Sequence, residues 1–159
     1  MGELRLSGTQ VSDIEPLREL TQLKTLYLQG TPVPDIEPLH KLTQLEQLSL
    51  DGTRVSGLAP LRELTQLKSL FLGKTEVSDL EPLRELTELR LLNLDGTQVS
   101  HLEPLCELTQ LLILQISGTR VSDLSPLAKM KNVTIYLDEK QQVTIPEELK
   151  DRVRRYAFQ

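Results

Sequence analysis

A chain of 159 residues with a net charge of −5 lacks the clustered basic surface that nucleic acid or an anionic membrane requires of a partner. Its single cysteine, Cys106, excludes an intrachain disulfide, and the length suits one domain. No apolar run approaches a membrane span and the opening MGELRLSGTQ has no signal-peptide core, so the chain as given favours a cytoplasmic setting without membrane insertion.

Threonine stands at 9, 31, 53, 75, 97 and 119, a step of 22 residues each time, and valine follows two residues later in every copy. Pro-Leu recurs in the same register from Pro16-Leu17 to Pro126-Leu127. A fixed period of this length marks a solenoid, in which each repeat buries its apolar face only against its neighbours.

Taken in order, the chain begins at a repeat boundary. Met1 stands where later copies have Leu23, Leu45 and Leu67, and nothing before it caps the coil of Leu4 and Leu6. That coil is expected to expose an edge strand and bare apolar surface, open to further repeats, a cap or self-association with a second copy. The second repeat shows the unit. Leu26 and Leu28 alternate with Thr25, Tyr27 and Gln29, the period-two pattern of a short strand with one buried face. Gly30, Thr31 and Pro32 turn the chain, Val33 returns to the interior, and Pro38 opens a short helical or 3-10 turn bearing Ile36, Leu39 and Leu42. A strand returning every 22 residues in one direction predicts a parallel sheet, one coil every ~4.8 Å.

The phrase LTQLEQLSLDGTRVSGLAPLRELTQL resembles the bacterial leucine-rich repeat of 22 residues, the internalin-like class, and the match runs from Leu4 to about Val133. The resemblance implies an α/β fold: a right-handed solenoid with its parallel sheet on the concave side and short helical or 3-10 segments on the convex side. It also implies protein recognition. Where the family often has asparagine at the turn, every copy here has threonine. Its hydroxyl can still tie the turn, with fewer hydrogen bonds to give.

Residues 1–137 thus read as about six repeats, and 138–159 as a C-terminal cap. The strand before the cap slips by one residue, with Ile135 and Leu137 as its apolar pair. From about 146 a helix is expected, opened by Pro146, with Leu149, Val153, Tyr156 and Ala157 on one face and Phe158 after it, covering the last coil. The basic run Lys150–Arg155 would be its solvated face.

The chemistry of an enzyme is not in the pattern. His40 and His101 lie almost three coils apart on different columns, too far to share a metal, and no Cys/His spacing resembles a zinc site. Cys106 has Glu103 and Glu107 beside it rather than a base. Stacked glutamates are interleaved with Arg18, Arg62 and Arg84, so they read as a solvated charge ladder rather than a calcium cage. There is no glycine-rich phosphate loop. No catalytic, metal or cofactor residue is assigned.

What varies between copies is the outward side of the strands: Thr25, Gln47, Ser69, Leu91, Ile113; Tyr27, Ser49, Phe71, Asn93, Gln115; and Gln29, Asp51, Gly73, Asp95, Ser117. Tyr27 and Phe71 point away from an interior already filled by leucines, and Leu91 and Ile113 add an apolar pair. The expected site is therefore a concave binding face for a protein or peptide. Tyr27 and Phe71 are its anchors, Leu91 and Ile113 its floor, Gln47, Ser49, Asn93 and Gln115 its polar contacts, and Asp51 and Asp95 its charge selectors. A sensor segment of a larger signalling protein, or a self-associating element, is the competing expectation.

Overall fold

A computed structural model describes residues 2–159; Met1, which the repeat aligns with Leu23, lies outside them. Among the described residues eight parallel strands form one sheet in chain order. They are β1 (Glu3–Arg5), β2 (Thr25–Tyr27), β3 (Gln47–Ser49), β4 (Ser69–Phe71), β5 (Leu91–Asn93), β6 (Ile113–Gln115), β7 (Thr134–Asp138) and β8 (Val153–Tyr156). Short 3-10 turns, beginning with Glu15–Glu19 and Glu37–Lys41, return the chain along the other side. Each of the first six carries its proline at the first or second position, where the missing N–H costs nothing.

The interior is aliphatic from end to end. Leu26, Leu28, Val33, Ile36, Leu39 and Leu42 are all 0–1% exposed, and later coils repeat them. Leu4, Leu6 and Val11, the same positions in the first coil, are only partly buried because no coil lies over them. Every repeat threonine from Thr9 to Thr119 donates its hydroxyl to the carbonyl three residues earlier at 2.7 Å. The ladder therefore closes each turn within its own coil, satisfying a carbonyl that burial would otherwise orphan.

A second ladder closes the convex turns. Asp13, Asp35, Asp79 and Asp123 each accept the backbone N–H two residues on at 2.9 Å. Gly57 and His101 occupy the same column without making that bond. A Cβ at Gly57 would meet nothing within 4 Å. Gly57→Asp should therefore raise the unfolding free energy by about 0.5–1 kcal/mol through the restored cap and the lost glycine entropy, as urea denaturation would report.

The register steps by 22 residues from β1 through β6, then by 21, from Ile113 to Thr134. The slipped strand is thus a one-residue deletion, with Ile135 and Leu137 fully buried. The expected helix from about 146 starts after Pro146 but stops at Arg152 instead of running on through Ala157. Glu147–Arg152 is a 3-10 turn that buries only Leu149, and 153–156 becomes β8, paired with β7. Two facts favour the strand. β7 offers a complete parallel hydrogen-bonding edge, and Val153 and Tyr156 are strand-prone residue types. The basic run Lys150–Arg155 accordingly spans a turn and a strand, and Arg155 turns its guanidinium onto the carbonyls of Asp138, Glu139 and Gln141.

Candidate functional site

Strand pairing brings the ten expected contact residues onto one face. Gln47, Leu91 and Ile113 fall in one row with Thr25 and Ser69, and Tyr27, Ser49, Phe71, Asn93 and Gln115 form the next. Asp51 and Asp95 lie just beyond the strands in a third row. Ser49 is buried; the other nine are half-buried.

The polar members are already engaged with one another. Gln47 donates to the Tyr27 hydroxyl at 3.2 Å, and the Arg5 guanidinium lies 4.9 Å from the Tyr27 ring centre. Asp51 accepts the Gly73 amide at 2.6 Å and the Asn93 side chain at 3.4 Å on one oxygen, and the Ser49 hydroxyl at 3.3 Å on the other. Asp95 accepts the Ser117 amide at 2.7 Å and the Tyr156 hydroxyl at 3.0 Å. The two aspartates therefore tie one coil to the next as well as facing outward. Burial pushes both carboxyls above their ordinary value, outweighing the amide hydrogen bonds that pull them down.

Gly73 on the following coil leaves room for the Asp51 carboxylate. A Cβ at Gly73 would stand 2.8 Å from Asp51 Oδ1. The missing side chain also opens a pocket of about 360 Å³ bounded by Asp51, Gly73, Lys74, Asn93, Asp95 and Phe158. Lys74, on its rim, is the one described non-glycine residue with positive φ, +56°, at the turn position that Gly8, Gly30, Gly52, Gly96 and Gly118 fill elsewhere.

The apolar half has no such internal partners. Leu112, which precedes Ile113 in the chain, is 47% exposed. Its row runs Lys24, Glu46, Lys68, Arg90, Leu112, and Glu46 pairs with Lys24 at 3.5 Å and Lys68 at 2.7 Å. Lys24, Lys68 and Arg90 of that row are exposed as well, so the exposure of Leu112 goes with its position in the coil.

Aromatic placement sharpens the picture. The chain has five aromatics, three tyrosines and two phenylalanines, and none is in the buried core. Tyr136 continues the row of Tyr27 and Phe71, since it pairs with Gln115. Tyr156, expected to cover the last coil, alternates outward with Asp138 and meets Tyr136 edge-on, ring centres 6.4 Å apart. His40 and His101 make local contacts, to the Glu37 carbonyl and carboxylate and to the Ser100 hydroxyl. No three His, Cys, Asp or Glu side chains gather as metal ligands among the described residues, and no described helix is long and apolar enough to cross a membrane.

These coils, with a leucine-filled interior, a hydroxyl-closed turn and one parallel sheet, give the chain the leucine-rich-repeat solenoid fold, and it is similar to bacterial, internalin-like proteins. The model of the leucine-rich-repeat family (two copies) matches residues 21–63. No curated protein matches the sequence. Among solved structures, internalin C2 of Listeria monocytogenes is similar at TM-score 0.92 and 29% identity, over 98% of this chain and 71% of that one. An internalin (inlF) of the same species is similar at TM-score 0.87 and 34% identity, over 91% of this chain and 43% of that one. A leucine-rich repeat protein of Leptospira interrogans shares the fold at TM-score 0.86 and 23% identity, over 99% of this chain and 43% of that one. The chain thus spans less than half of the last two. Leucine-rich repeat domains generally serve as non-enzymatic protein-interaction modules.

Proposed function

We propose that this solenoid binds a protein or peptide partner on its concave face. The observation that carries the reading is the placement of the aromatics: a chain with five spends none in its core and sets Tyr27, Phe71 and Tyr136 in one outward row. Aromatic side chains bury the most apolar area on association and lose little rotamer freedom doing so, which makes them the usual anchors of an interface. Phe71, Leu91 and Ile113 form the apolar patch, and Gln47, Ser49, Asn93 and Gln115 supply hydrogen bonds around it. Asp51 and Asp95 keep lone pairs beyond those given to backbone amides, so they still favour a partner rich in N–H donors. The sheet is pre-organised, and binding therefore orders side chains rather than backbone.

Affinity capture from the source cells tests this, with the wild-type chain and a Phe71→Ala/Leu91→Ala variant as parallel baits. The variant is expected to lose the captured species while its thermal unfolding stays close to wild type. Equal capture by both baits would contradict the reading.

A further inference from the structure

The segment Tyr156–Phe158 does not cap the core; it folds back over the concave rim. Beyond the hydrogen bond from the Glu139 amide to the Tyr156 carbonyl at 2.9 Å and the edge contact with Tyr136, its side chains and the Phe158 amide reach Asp95 of the face proposed above for recognition, Asp138 and the turn glycines beside that face. The Tyr156 hydroxyl crosses the ends of β7 and β6 to reach Asp95 Oδ2 at 3.0 Å. The Phe158 amide donates to Asp138 Oδ2 at 2.7 Å. The Phe158 ring lies on the turn glycines: a Cβ at Gly118 would stand 2.6 Å from Phe158 Cε1, and one at Gly96 would stand 3.5 Å from Cζ. Only coils with glycine at that turn leave room for the ring, which then walls the pocket between Asp51 and Asp95.

We propose that Tyr156–Phe158 is a strap that closes the C-terminal end of the concave face, latched by the Tyr156–Asp95 hydrogen bond, and that a partner reaching Asp95 must displace it. This rests on the concave-face reading for its consequence, though not for its mechanics. The strap is held by two hydrogen bonds to carboxylates, by the backbone hydrogen bond from the Glu139 amide to the Tyr156 carbonyl at the end of β8, by the Tyr136 ring edge and by one half-buried ring, whereas β7 beneath it is anchored by the fully buried Ile135 and Leu137. Local opening draws on the elements with few buried apolar contacts, so the strap opens at a far smaller free-energy cost than the coil that carries it. Opening frees one Asp95 oxygen, the Gly96–Gly118 ridge and the far wall of the pocket together.

Amide hydrogen exchange and chemical shifts measured by NMR on the full chain test the latch without any partner, so the result stands apart from the recognition reading. Phe158→Ala is expected to shift the Gly96 and Gly118 resonances, which sit under the ring. Tyr156→Phe is expected to speed exchange of the Phe158 amide roughly tenfold, the low end of what a hydrogen bond to a charged acceptor contributes, while the Ile135 and Leu137 amides keep their protection. Unmoved glycine resonances in Phe158→Ala, or unchanged Phe158 exchange in Tyr156→Phe, would overturn the proposal. So would loss of protection at Ile135 and Leu137 in Tyr156→Phe, because the segment would then be an inseparable part of the last coil.

Discussion

Leu70→Ala is expected to lower the unfolding free energy by about 2–5 kcal/mol, while Phe71→Ala, one residue along, changes it by less than about 1 kcal/mol. The contrast follows from strand alternation. Leu70 points inward, is 0% exposed, and sits between Leu48 and Leu92 of the adjoining coils. Truncating it removes buried apolar surface and leaves a cavity that a stacked interior cannot collapse around, since both flanking coils are fixed by their own hydrogen bonds. Phe71 points outward between Ser49 and Asn93 and stays half-buried. Its ring has more surface to lose than Leu70 has, so a small effect at 71 would show that the aromatic is placed for something other than stability. Chemical denaturation of the two variants beside wild type makes the comparison.

The second large effect is at the aspartates. Asp51→Ala should cost about 1–3 kcal/mol, because the buried Gly73 amide loses its only acceptor. Asp51→Asn keeps an oxygen for that amide and should cost much less. The charge itself works against folding. Burial holds the Asp51 and Asp95 carboxyls above the usual carboxylate value, so in the window just above that value the folded chain binds protons the unfolded chain has released. Stability from these two groups is therefore present at acid pH and declines as pH rises through that window. Exposed carboxylates act in the opposite sense. Hydrogen bonds from Lys68, Arg84 and the Phe158 amide lower Glu46, Glu81 and Asp138, whose contribution declines as pH falls. Subtracting the stability curve of an Asp51→Asn/Asp95→Asn variant from that of wild type isolates the buried pair. The difference should fall with rising pH, and a difference that rises would refute the burial assignment.

The periodic residues made the architecture legible. Threonine, valine and Pro-Leu at constant spacing leave no choice but stacked coils, and the alternation of Leu26 and Leu28 with Tyr27 already sorts inward from outward. The end of the chain was not legible. Leu149, Val153, Tyr156 and Ala157 fit a helical face, yet Val153 to Tyr156 fit strand alternation as well. What decides is the open edge of β7, a partner that local sequence does not display. The aspartates failed for a related reason. Outward position suggested free charges, but Asp51 and Asp95 each meet an amide 22 residues away, on Gly73 and Ser117, a pairing that only the stacking of coils displays. Leu112 stands in a row whose other members, Lys24, Glu46, Lys68 and Arg90, are charged, outside the outward columns of the strands.

The binding constant of the captured partner bears most directly on the account. It should be measured by titration calorimetry against wild type, the concave variant Phe71→Ala/Leu91→Ala, and a convex variant at exposed Arg62. With two anchor residues removed, the concave variant should bind at least about 100-fold more weakly, and Arg62→Ala should match wild type. Loss of affinity in Arg62→Ala with the concave variant binding normally would contradict the account.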